Sequence, residues 1–114
     1  MDMEIGAKEY IDVDDALKRV GGNMNLYKRL LGRFVDSDQC VPLEEALHSG
    51  NTEEAARLTH TLKGVSANLS LVKVKNLSAD LEQLVKNGSD HSAVLEELKR
   101  AYGVTVQMIA EILS

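Results

Sequence analysis

Apolar residues recur along this chain at alternating three- and four-residue intervals, and each run is closed by glycine, asparagine or proline. Ala55, Leu58, Leu62, Val65 and Leu69 make one stripe, and Val74, Leu77, Leu81 and Leu84 make the next. That spacing keeps every member on one side of a helix of 3.6 residues per turn, so these segments are predicted to be helices with one buried face. Strand alternation bounded by hairpin turns is found nowhere in the sequence.

The punctuation predicts where each helix starts and stops. Ile11 and Asp12 precede Val13-Asp14-Asp15 as a staple residue and an N-cap, and the helix they open should stop at Gly21-Gly22, where glycine takes the left-handed conformation. Asn23 then caps a second helix carrying Leu26, Leu30, Phe34 and Val41. Pro42 falls inside that run, which leaves a kink or a break there, followed by a helix reaching His48 and ending at Gly50. Asn51 with Glu54 three residues later forms a capping box for the next helix, which fades between Asn68 and Ser70. The following helix is closed by Lys86-Asn87-Gly88, and Asp90 caps a last one running to about Leu113. Substantial helices joined by connections of a few residues pack as antiparallel neighbours. The expected fold is all-α, an antiparallel up-down-up-down four-helix bundle with a short extra N-terminal helix, forming one domain over residues 1–114.

Size and charge narrow the function. A chain of 114 residues buries about two thirds of the surface it exposes when unfolded, so no disulfide or metal staple is needed. The 18 acidic residues against 13 basic ones give a net charge of −5, which disfavours nucleic acid and anionic membranes as partners. Cys40 is the only cysteine and is read as a packing residue, which fits a reducing cytoplasm. No long apolar run and no basic-then-apolar leader over Met1 to Tyr10 suggest a membrane span or secretory signal.

His60 stands out against this frame. At 100° per residue it lies roughly 170° from the middle of the stripe on its own helix, so burial does not explain it. Lys63, Gly64 and Ala67 follow it at three, four and seven residues and share its side. Glycine costs about 1 kcal/mol relative to alanine inside a helix, and Gly64 on the outward face suggests that something must approach closely. An exposed imidazole titrating near 6.5 is roughly three quarters neutral at pH 7, so a ring lone pair is available as a nucleophile. Attack on a phosphoryl group would give a phosphoimidazole whose charge the Lys63 ammonium offsets, although spacing alone fits a solvated surface lysine equally well. The sequence has no phosphate-cradling glycine loop, no nucleotide motif and no carboxylate pair placed to hold magnesium. His48 reads as a helix C-terminal residue and His91 as an exposed residue beside a cap, and neither has zinc-ligand spacing with the other or with Cys40.

The run His60-Thr61-Leu62-Lys63-Gly64-Val65-Ser66-Ala67-Asn68-Leu69 resembles the His-x-Leu-Lys-Gly motif of histidine-containing phosphotransfer domains, the HPt modules of two-component phosphorelays. Ala16 to Gly22, Leu26 to Phe34, Pro42 and the Leu81-Glu82 step are similar to other parts of the family pattern, so the resemblance spans nearly the whole chain. It implies that His60 accepts a phosphoryl group from an aspartyl phosphate on a response-regulator receiver domain and passes it to another receiver. It further implies a monomeric bundle without autonomous kinase activity, binding no cofactor or metal, with Mg2+ held by the receiver. A hybrid sensor histidine kinase is a further implied partner. On the same grounds Lys63 is expected to stabilise the phosphoryl group, and Arg57, Gly64 and Ala67 to face the partner. Glu82, with Gln83 as the neighbouring alternative, is the expected counterpart of the residue that orients the imidazole, while a plain surface carboxylate fits Glu82 as well. Ser70 departs from the glycine found in many members.

Two rival readings differ at His60. A helical adaptor that binds a receiver without being phosphorylated would keep the fold and the small-residue patch but would not need the imidazole. The dimerisation module of a sensor kinase also presents a helical histidine, but an acidic residue and then a proline follow it there, whereas Thr61 follows His60 here and no proline comes after Pro42.

Overall fold

In the computed structural model residues 8–114 are described, so the first seven residues of the stretch expected to carry no leader lie outside them. From Val13 onward the described residues form six helices: α1 (Val13–Arg19), α2 (Met24–Asp36), α3 (Cys40–His48), α4 (Thr52–Asn68), α5 (Val72–Lys86) and α6 (Ser92–Leu113). No strand occurs among the described residues, and no helix there is long and apolar enough to cross a membrane. Short connections reverse the chain between α3, α4, α5 and α6, and α2 packs back against α6 to close an all-α bundle. Tyr27, Leu31, Leu43, Leu62, Leu71, Leu81, Leu98 and Ile109 are fully buried at its centre.

The predicted stops fall close to where the backbone places them. Asp12 caps α1 by accepting the Asp15 N–H, and Gly22 at φ +80° donates to the Leu17 carbonyl at 2.7 Å, closing the helix with a left-handed turn. Asn23 and Asn51 accept the N–H groups of Leu26 and Glu54 as their helices begin. The kink or break expected at Pro42 falls upstream of it as a break at Ser37–Gln39, and Val41 is 52% exposed rather than part of the α2 stripe. Proline is tolerated where it lands, in the first turn of α3, because no intrahelical bond is required of its missing N–H. Asp38 supplies the cap by accepting from Cys40 and Val41, and the Tyr102 hydroxyl of α6 accepts the Gln39 N–H at 3.2 Å. Asp90 acts one position earlier than expected: its carboxylate accepts from Ser92, while His91, half-buried, is the residue at the cap itself.

The α4–α5 turn fastens the N-terminal helices to the bundle. Ser70 holds φ +56°, a conformation that costs a side-chain-bearing residue roughly 1 kcal/mol or more relative to glycine. Its side chain offsets part of that strain by donating to Asp15 at 2.7 Å, and its carbonyl accepts the Asp12 N–H at 3.0 Å. The Tyr27 hydroxyl donates to the Leu69 carbonyl at 2.8 Å, and burial, helped by the Asp12 charge, pushes that phenol up to about 12. These contacts fix where α4 ends and so fix the register of His60 against α5.

Candidate functional site

The buried face of α4 is not quite the apolar stripe. Ala55, Leu62 and Leu69 are buried, but Leu58 and Val65 are only half-buried, and their places are taken by Thr59 and Ser66, both fully buried. The face actually used is therefore rotated by about 40° from the stripe of apolar residues. The Thr59 hydroxyl satisfies itself on the Ala55 and Ala56 carbonyls, and the small side chains let α5 approach closely. A matching change occurs on α5, where Ser78, Glu82 and Val85 are buried and Leu84 is half-buried. Both rotations turn the polar edges of α4 and α5 toward one another. His60 lies nearer the α4–α5 seam than directly opposite the core, roughly 135° from the centre of the buried face.

At that seam three side chains meet on one carboxylate. Glu82 is 3% exposed at its side chain; its Oε2 lies 3.0 Å from His60 Nδ1 and 3.2 Å from Lys86 Nζ, and its Oε1 accepts from Lys63 Nζ at 2.9 Å. Burial alone would push this carboxyl up, but the hydrogen bonds from Lys63, Lys86 and His60, with the Lys63 charge, bring it down to about 2. An ionised carboxylate only accepts, so Nδ1 of the neutral ring must carry the shared hydrogen. The lone pair then resides on Nε2, on an imidazole whose side chain is 69% exposed.

The other singled-out residues surround this cluster. The backbone at Gly64 is exposed, and a Cβ built there meets nothing within 4 Å, so packing within the fold does not require glycine. Arg57 is exposed one turn before His60 and paired with Glu54 on its own helix, and Ala67 is half-buried. Glu82, not the exposed Gln83, reaches the imidazole, and its burial removes the surface-carboxylate alternative. Lys86 is the member that the motif did not point to, although its place four residues after Glu82 on one helix was a readable signal. His48 lies in the last turn of α3, and no group of three or more His, Cys, Asp or Glu able to hold a metal occurs among the described residues. Cys40 packs against the core, where burial and the Asp38 and Glu44 charges push its thiol up to about 11, leaving it unreactive at neutral pH.

Residues 37–112 match the model of the Hpt domain family, more than half of the chain and all of α3, α4, α5 and the cluster on Glu82. The chain belongs to the Hpt domain family. Hpt domains are phosphocarriers, not kinases, that act with receiver domains in two-component phosphorelays, and phosphotransfer is the role this membership implies. No curated protein and no solved structure is a significant match. The match begins in the break between α2 and α3, so the α1–α2 segment that anchors the Ser70 turn is additional to it.

Proposed function

We propose that the chain is a phosphorelay intermediate in which His60 accepts a phosphoryl group from the aspartyl phosphate of one receiver domain and passes it to another. The observation that carries this reading is an exposed imidazole held at Nδ1 by a buried, ionised carboxylate. Nε2 attacks phosphorus, the Nε2–P bond forms, and the bond from phosphorus to the aspartyl oxygen breaks, the carboxylate leaving with the electron pair. The positive charge that develops on the ring faces Glu82 through the Nδ1–H, and Lys63 lies one turn away to offset the phosphoryl charge. Return transfer reverses the bonds, with the second receiver's aspartate attacking phosphorus and the neutral imidazole leaving.

The rest of the machinery belongs to the partner. Mg2+ and the groups that activate the aspartyl phosphate are supplied by the receiver, and the open ground above Gly64 admits its loops. The chain works as a cytoplasmic monomer, and a hybrid sensor histidine kinase is one source of the donor receiver. Incubation with a phosphorylated receiver domain from the same organism tests the assignment. An acid-labile, base-stable label should appear on the wild-type chain and vanish in His60→Gln at unchanged helical content. A label that persists in the variant moves the site elsewhere, and receiver binding with no label on the wild-type chain makes the protein an adaptor.

A further inference from the structure

Glu82 Oε2 is shared by two groups, the imidazole at 3.0 Å and the Lys86 ammonium at 3.2 Å. A buried carboxylate beside a histidine favours the imidazolium, and an imidazolium has no lone pair with which to attack phosphorus. The seam resolves this conflict by charge count. Lys63 on Oε1 neutralises Glu82, and Lys86 adds one positive charge beyond neutrality. That surplus opposes a further proton on the ring while the carboxylate still accepts the Nδ1–H.

The placement of Lys86 suits this task. It lies in the last turn of α5, four residues after Glu82, where the carbonyl end of the helix also favours a cation. Its side chain is 53% exposed, so it is held by the carboxylate rather than by packing. Several other charged groups on α4 and α3 are already engaged with one another or placed in a separate recess. Arg57 is bound to Glu54 on α4 itself, and Glu44 of α3, the other helix packed on α4, is bound to Lys99. Glu45 and His48 of α3 line a separate recess with Val41.

We infer that Lys86 is a positioning residue of this site, acting through Glu82 Oε2 to keep His60 neutral with Nε2 free. The inference rests on the reading of His60 as phosphoacceptor, and its test separates the two. The full chain, Lys86→Met and Lys86→Arg are compared by 15N NMR titration of the His60 ring and by labelling with phosphoramidate, a small-molecule phosphoryl donor. Lys86→Met keeps the aliphatic stem and removes the charge, and should raise the ring's titration midpoint by roughly 0.5–1 unit, a shift that Lys86→Arg restores. Labelling measured at the wild-type midpoint should then fall about two- to fivefold in Lys86→Met, and be unchanged roughly two units above it. Superimposable titrations with normal labelling overturn the role of Lys86, as does a shift that arginine does not reverse. A midpoint that moves as expected in a chain that never labels at His60 overturns the phosphoacceptor reading instead.

Discussion

Replacing Glu82 with glutamine keeps the shape of the side chain and removes the charge on which His60, Lys63 and Lys86 converge. A carboxyl held at about 2, below the ordinary glutamate value of 4.5, contributes stability that is fully present above the unfolded value and is lost as pH falls toward the folded one. By linkage the wild-type protein should lose about 2 kcal/mol between pH 5 and pH 3 that Glu82→Gln does not lose. That interval runs from above the unfolded value of this carboxyl to near its folded one, where its contribution changes most. Urea unfolding at the two pH values measures it, the advantage of wild type over variant being read at each. At low salt the narrowing should be fullest, because two of the three donors are partly exposed lysines that ions can screen. An advantage that stays constant from pH 5 to pH 3 would refute the ionised carboxylate. It would also remove the reason for assigning the shared hydrogen to Nδ1, since a protonated carboxyl can itself donate to the ring.

Gly64→Gln should fold with equal or slightly greater stability, by up to about 1 kcal/mol from helix propensity, because the space above it is open; it should nonetheless slow transfer from a receiver. Thermal unfolding with a transfer time course checks both halves, and an unfolded variant whose folded fraction transfers normally would assign the glycine to packing. Lys63→Ala should weaken transfer by up to about tenfold without abolishing it, and less at high salt, as expected for a half-exposed ammonium. Complete loss in a folded variant would give the lysine a stronger role, and no change at any ionic strength would leave it a surface residue.

The helices were legible in the sequence because their ends are written in residues with a backbone consequence: Asp12, Asn23 and Asn51 as caps, Gly22 and Gly50 as left-handed stops. The break near Pro42 was legible as an event but not as a place. What ends α2 is Asp38 capping the next helix and Tyr102 reaching over from α6, and the second of these contacts spans a sequence distance that no local pattern encodes. His60 was legible as a residue turned away from the core, through its motif and its angle to the stripe.

Its surroundings were less legible, for a reason that lies in what hydrophobic periodicity counts. A stripe drawn through apolar residues omits Thr59, Ser66 and Ser78, small polar side chains that bury readily where two helices come close, and it substitutes Leu58, Val65 and Leu84, which remain half-buried. The resulting error, about 40° on α4 and about 50° on α5, is enough to carry Glu82 from an apparent surface position into the seam. A carboxylate enters such a seam only with partners that offset its desolvation, so its burial requires cations within reach from both helices. Lys63 on α4 and Lys86 on α5 meet that requirement, and the imidazole occupies the acceptor site that remains. Burial of Glu82 and orientation of His60 are thus one event, which explains why the resemblance named Glu82 only beside Gln83 and a surface-carboxylate alternative, and did not name Lys86.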